Sequence, residues 1–368
     1  MRIARASLFL IALSACASAQ SPPPAAIAEL RACIAGRAAR DEFSGVMLVA
    51  EQGRILWKEA YGYADAARQV ANTPETRFNI ASMGKMFTAV AIAQLADEGR
   101  LRFGDPIALH LPGLAPEAGA ITIDELLTHR SGLRDYLRPE NRPVIQSARI
   151  AADLLPAALA DGLAFAPGSD WAYSNSGYVV LGAIVERLSG LSYPDYLQQR
   201  IFAPAGMAAT SLDGTVARAA AMTRRRPGGR SAEGPPRPAP QIGSAWGSPA
   251  GGAVSTVGDL LRFGEALRRH RLTRPETTEL LWRAHLVPGA RNGGEGQASY
   301  GYGFNRLDLG GARLVGHGGG ALGVNAQFEI DPEAGRVVAI LSNYDPPAAT
   351  EAVRAARRAL LGGGAVCS

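Results

Sequence analysis

The chain has 368 residues, 47% hydrophobic and 19% charged, which is enough apolar surface for a large core and excludes a disordered chain. Its formal net charge of +5 is a small excess and argues against a dedicated nucleic-acid binder. The basic residues are chosen unevenly: all are arginine except Lys58 and Lys85. Arginine cannot release its proton in a protein, whereas a lysine amine can once burial or a neighbouring cation lowers its pKa. A lysine kept against that bias is a candidate for chemistry.

In chain order, Arg2 and Arg5, the apolar stretch Ala6–Ala15 and the small residues Ala17-Ser18-Ala19 read as an export signal over residues 1–19. Leu13-Ser14-Ala15-Cys16 also resembles a bacterial lipobox. The expectation is therefore a periplasmic or secreted protein, or an envelope lipoprotein anchored through Cys16. The apolar stretch is too short for a comfortable membrane span. A Pro-rich spacer, residues 20–24, precedes a helix predicted over 25–39 from the spacing of Ile27, Leu30, Cys33 and Ile34. Gly45–Glu51 and Arg54–Gly62 read as strands joined at Gln52-Gly53. Ser82 opens a strongly periodic helix that Gly99 stops. A predominantly helical stretch follows over 121–285, with helices predicted at 123–128, 146–160, 176–189, 192–200, 257–269 and 275–284. Within it, residues 224–240 are rich in Pro, Gly and Arg and read as an exposed loop. Strands return at Tyr300–Leu309, Ala312–Gly316, Val324–Ile330 and Arg336–Ser342. A helix over Ala348–Leu361 ends the domain, and 362–368 is a tail.

That order predicts an α/β sandwich: an antiparallel sheet built from both ends of the chain and flanked by terminal helices, with an all-helical lobe inserted. The sheet-bearing lobe is drawn at about 25–81 and 286–361, and the helical lobe at about 82–285. The ends of the domain would then lie close together. With Cys16 removed or lipidated, Cys33 and Cys367 could form one disulfide in an oxidising compartment. The alternative is two free thiols, one buried on a helix and one in the tail. No clustered Cys/His spacing suggests a metal, and no cofactor is expected.

Three elements carry chemistry. Ser82 and Lys85 stand three residues apart at a helix start, which puts them on one face, with backbone N–H groups and a partial positive charge beside Ser82. Ser82 is the candidate nucleophile and Lys85 the candidate base, although a capping serine with a surface lysine gives the same pattern. Tyr173-Ser174-Asn175 precedes the helix at 176: a phenol near a lysine can shuttle a proton, and a carboxamide can orient both the lysine and a substrate carbonyl. A core tyrosine and a capping asparagine are the plain alternatives. Gly316-His317-Gly318-Gly319-Gly320 ends a predicted strand. Its glycines let a substrate backbone lie close, the N–H of Gly320 could join that of Ser82 as an oxyanion hole, and His317 could donate a proton or contact an anion. His129 reads as structural. No Gly-x-Ser-x-Gly, phosphate-cradling loop or His-Glu-x-x-His is present.

Together these motifs resemble the serine β-lactamase and penicillin-binding-protein superfamily, nearest its class C branch of carboxypeptidases, D-aminopeptidases and esterases. Leu126–Leu133, Tyr173–Gly182 and Ala250–Leu261 extend the resemblance, which covers about residues 25–361. It implies acylation of Ser82, acid and base work shared by Lys85 and Tyr173, substrate positioning by Asn175, His317 and Gly319, and oxyanion donors at Ser82 and Gly320. The expected partner is a small molecule or peptide with a scissile carbonyl, with no nucleic acid and no membrane beyond a lipid on Cys16. His317 departs from the family pattern, since the lactamases and carboxypeptidases usually carry lysine there to grip a substrate carboxylate. That departure favours an esterase or D-aminopeptidase over a strong lactamase. The alternative is a non-catalytic envelope protein that binds a penicillin or a peptidoglycan fragment.

Overall fold

The structure is a computed structural model describing residues 24–213, 215–224, 234–239, 247–285, 296–362 and 367. The expected leader with Cys16, most of the spacer, most of the Arg/Pro loop and most of the tail lie outside these residues. Helix α1 (Pro24–Ala39) leads into strands β1 (Gly45–Glu51) and β2 (Arg54–Tyr61). The C-terminal part adds β3 (Gln297–Tyr300), β4 (Asn305–Leu309), β5 (Ala312–Ala321), β6 (Val324–Asp331) and β7 (Arg336–Ser342). They form a seven-stranded antiparallel sheet in the order β2-β1-β7-β6-β5-β4-β3, so β1 closes against the last strand, Gly45 opposite Ser342.

Both faces of the sheet are covered, which is why β1 and β7 are buried from end to end rather than alternating with polar residues. Met47, Val49, Val338 and Ile340 face α1 (Leu30, Ile34) and the C-terminal helix Ala348–Leu361 (Ala349, Val353, Ala356). Val46, Leu48, Val337, Ala339 and Leu341 point the other way, into a larger core containing Phe87, Phe263 and Phe328. The two terminal helices meet, and a disulfide ties Cys33 of α1 to Cys367, beyond the end of the C-terminal helix, with 5.4 Å between Cα atoms.

Helix α2 (Lys85–Asp97) runs through the larger core, with every residue from Lys85 to Leu95 buried. A helix apolar on all sides belongs inside a core. Its polar exceptions are satisfied: Thr88 Oγ1 donates to Pro249 O at 2.6 Å, and Gln94 Nε2 donates to Arg200 O and Leu272 O. The helix Val257–Arg268, assigned from sequence to the helical lobe, lies on the sheet. A Cβ on its Gly264 would already stand 3.1 Å from Phe328 and 3.3 Å from Val337.

Three predicted elements differ in extent. The helix predicted at 146–160 is two pieces, Arg142–Ser147 and Ala151–Leu159. Between them the Asp153 carboxylate accepts from the N–H groups of Arg149 and Ile150, and Glu186 accepts from those of Ala151 and Ala152. These carboxylates start a new helix instead of letting the old one continue. The strand predicted at 300–309 breaks into β3 and β4 because Gly301–Gly303 bends down onto α2. A Cβ at Gly303 (φ +73°) would lie 2.6 Å from that of Ala89. Finally, β5 runs through the glycines to Ala321 rather than ending at Gly316, and this brings it to the site.

Candidate active site

Ser82 lies in a 3-10 turn, Ala81–Gly84, that feeds α2. In such a turn positions i and i+3 eclipse, which stacks Ser82 over Lys85 more closely than the α-helix expected from sequence. The strap Ala250-Gly251-Gly252 presses on this turn. A Cβ at Gly84 would lie 3.0 Å from Gly251 Cα, and one at Gly251 would lie 2.4 Å from Ala81 O. That close approach delivers the Ala250 carbonyl to Lys85 and explains the glycines of the stretch beginning at Ala250. Ala81, immediately before Ser82, has φ +43°, a conformation costing a non-glycine residue about 1 kcal/mol or more.

Lys58, the other lysine, pairs with Glu75 at the surface, whereas Lys85 is completely buried. Its Nζ reaches Ala250 O at 2.6 Å, Asn175 Oδ1 at 2.7 Å and Ser82 Oγ at 3.4 Å. Ser174 caps the helix α3 (Asn175–Ser189), which leaves the Asn175 side chain free for the site. The Asn175 amide is oriented by Asp135, whose Oδ2 accepts from Asn175 Nδ2 at 2.7 Å and from its backbone N–H at 3.3 Å. A carboxylate only accepts, so Nδ2 must face Asp135 and Oδ1 must face Lys85. Both partners of the amine other than Ser82 are then pure acceptors. A neutral Lys85 gives them its two N–H groups and is left with its lone pair directed at the Ser82 hydroxyl. Burial pulls the Lys85 pKa down to about 7, partly offset by the Asp135 charge.

Tyr173 stands on the other side. Its hydroxyl feels the Ser82 side chain, and Lys85 Nζ lies 4.7 Å from its ring centre. The ring is 39% exposed, so it borders the opening to solvent rather than filling the core. The surroundings of its hydroxyl nevertheless push its pKa above the ordinary phenol value, chiefly by desolvation. At neutral pH the phenol keeps its proton while the Lys85 amine, its pKa lowered to about 7, can release its own, so a proton donor and a proton acceptor stand side by side.

Past Gly316, β5 has no pairing with β4, and its free edge meets the turn that carries Ser82. A Cβ at Gly319 would lie 2.2 Å from Ile80 O, so only glycine lets the strand approach this closely. Gly320, exposed at the end of the strand, lies opposite Asn325 and beside Pro346. His317 differs from its expected role. It is buried, its Nδ1 bonds Gly318 O at 2.5 Å and its Nε2 bonds Tyr300 Oη at 3.1 Å, so neither nitrogen is available to a substrate. Burial and the nearby Lys85 pull its pKa down to about 3, which leaves it neutral.

The fold thus brings Ser82, Lys85, Tyr173 and Asn175 into contact and sets Gly319 against the turn that carries Ser82. Sequence reasoning missed Asp135. Its one signal was indirect: an asparagine amide that turns its oxygen to a lysine needs an acceptor for its nitrogen, and Asp135 follows the Ser131-Gly132-Leu133 segment by two positions.

The sequence profile of the beta-lactamase family matches residues 30–363. Penicillin-binding protein 4* of Bacillus subtilis is 39% identical over 172 residues, 46% of this chain and 38% of that relative; the match spans well under half of the relative's length. A penicillin-binding protein from Bacillus halodurans superposes with a TM-score of 0.75 at 28% identity, covering 88% of this chain and 98% of the other. D-amino acid amidase from Ochrobactrum anthropi SV3, complexed with D-phenylalanine, superposes with a TM-score of 0.72 at 26% identity, covering 87% and 92%.

Proposed function

The chain belongs to the beta-lactamase family, and from that premise we propose that it is an exported serine hydrolase that cleaves amino-acid amides or esters through an acyl-enzyme on Ser82. The observation that carries the proposal is the set of partners around the amine: Asn175 Oδ1, held by Asp135, and Ala250 O take two N–H groups of Lys85, and the position left over faces Ser82 Oγ at 3.4 Å. Lys85 takes the hydroxyl proton as Ser82 Oγ attacks the carbonyl carbon. The N–H groups of Ser82 and Gly320 hold the oxyanion. Collapse of the tetrahedral intermediate expels the amine or alcohol, which receives a proton from Tyr173; the Lys85 ammonium reprotonates the phenol. Water, deprotonated by the same pair, then releases the acid and frees Ser82.

The electrostatics favour substrates without a carboxylate at the scissile end. The position expected to hold a cation is a neutral, fully bonded His317, and the charged group beside the amine is the Asp135 carboxylate. A penicillin or a peptide C-terminus would bring its negative charge to a site that offers it no partner there. The likeness to D-amino acid amidase supports an amino-acid amide as the first substrate to try. The Cys33–Cys367 disulfide supports export, since such bonds persist in oxidising compartments.

The test is a panel of D- and L-amino-acid amides, p-nitrophenyl esters and nitrocefin, run beside labelling with a fluorophosphonate. Turnover of amides or esters with slow nitrocefin hydrolysis is expected, and Ser82→Ala should abolish both labelling and turnover. Labelling that survives in Ser82→Ala overturns the assignment. A stoichiometric burst without turnover on every substrate points instead to a binding protein.

A further inference from the structure

Two motif histidines and one tyrosine have no part in that chemistry, yet they lie buried in a row beneath it: His129, Tyr300 and His317. The Ser174 backbone N–H donates to His129 Nδ1 at 3.2 Å. His129 Nε2 and Tyr300 Oη are 3.1 Å apart, Tyr300 Oη and His317 Nε2 are 3.1 Å apart, and His317 Nδ1 is 2.5 Å from Gly318 O. The two ends of this row fix every proton in it. A backbone N–H can only donate, so His129 Nδ1 is bare and its proton sits on Nε2, which donates to Tyr300 Oη. A backbone carbonyl can only accept, so His317 carries its proton on Nδ1 and its bare Nε2 accepts from the Tyr300 hydroxyl. Four hydrogen bonds then run in one direction, from Ser174 to Gly318, with no donor or acceptor left over. Tyr178, 3.5 Å from Tyr300 Oη, turns its own proton away to Leu127 O.

The ends of the row are the two working segments. Ser174 lies between Tyr173 and Asn175, and Gly318 precedes Gly319 and Gly320 on β5. We propose that His129, Tyr300 and His317 act as one positioning unit that ties the Tyr173–Asn175 segment to the oxyanion strand and holds the proton donor and the oxyanion donors in register across the cleft. Neither histidine transfers a proton or touches substrate. The tilted contact of the His129 and Tyr173 rings, with centroids 4.3 Å apart and planes 35° from parallel, extends the unit to the phenol itself. The charged neighbour of both imidazoles is Lys85, which with burial disfavours the imidazolium at either position. The kinetic consequence rests on the hydrolase reading; the proton assignment does not.

The first test is nitrogen-15 NMR of the histidine-labelled full chain, with resonances assigned by single His→Gln variants. Expected are the Nε2–H tautomer for His129, the rarer Nδ1–H tautomer for His317, and no titration of either between about pH 5 and 8. The opposite tautomer at either position, or a His317 that becomes charged near pH 6.5, overturns the proposal whether or not any substrate is turned over. The second test is Tyr300→Phe, which removes the central link. It should lower kcat on an activated ester about tenfold to a hundredfold while KM changes less than about threefold. Combining it with His129→Gln should cost little more than the worse single change, because one broken row cannot be broken twice. Multiplying losses in the double variant would show that the residues act separately and defeat the proposal.

Discussion

Replacing Asp135 by asparagine isolates the charge that sets the Lys85 proton affinity. The substitution keeps an oxygen acceptor for Asn175 Nδ2 and removes only the negative charge. Two 2.7 Å hydrogen bonds on either side of a carboxamide place that charge about 7 Å from Lys85 Nζ. At an effective dielectric of about 20 the attraction is about 2 kcal/mol, and partial exposure of Asp135 to solvent reduces it to about 1 kcal/mol, a little under one pKa unit. The other groups facing the amine are neutral, namely Tyr173, Tyr178, His129 and His317, so nothing compensates. Asp135 raises the Lys85 pKa, and its loss must lower it. In the proposed mechanism acylation needs the free amine, so the acid limb of the rate profile, near pH 7 in the wild type, should move to lower pH by about one unit. The assay is stopped-flow acylation by a p-nitrophenyl ester from pH 5 to 9, read as the ratio of the rate at pH 6 to that at pH 9. The ratio cancels any uniform loss and should rise about fivefold. Asp135→Ala should move the limb equally but lose more rate, because Asn175 is then free to flip. A limb that stays in place, or moves to higher pH, refutes the electrostatic link.

Three further outcomes are expected. Tyr173→Phe should slow amide cleavage about a hundredfold or more and p-nitrophenyl ester cleavage far less, since p-nitrophenolate leaves without a proton; equal losses on both would mean that Tyr173 is the acylation base. Gly319→Ala should push β5 off the Ile80 carbonyl, lowering kcat at least about a hundredfold and stability by about 1 to 3 kcal/mol in urea unfolding, and near-normal values of both would refute the packing argument. Reduction of Cys33–Cys367 should raise the intact mass by two hydrogens and lower stability by about 2 to 4 kcal/mol; a mass that does not change on reduction would mean that the bond is absent.

What could be read from the sequence was whatever rests on neighbours along the chain. The short continuous apolar runs at Gly45–Glu51 and Arg336–Ser342, the periodic helix after Ser82 and the motif segments were legible because each is a pattern of neighbouring residues. The arginine bias singled out Lys85 without any geometry. The element ends that differ from expectation were settled by partners far away in sequence: Glu186 on the N–H groups of Ala151 and Ala152, Ala89 beneath Gly303, and Ile80 beside Gly319. The same division runs through the site. Sequence alone determined that a serine, a lysine, a tyrosine and an asparagine were available for acyl transfer. Only the tertiary structure decided which way the Asn175 amide points, which group is left to accept the Ser82 proton, and that His317 is occupied by Tyr300 and Gly318. Hydrogen-bond direction is a property of pairs, and Asp135, Tyr300 and Ala250 become partners of the motif residues only when the chain has folded.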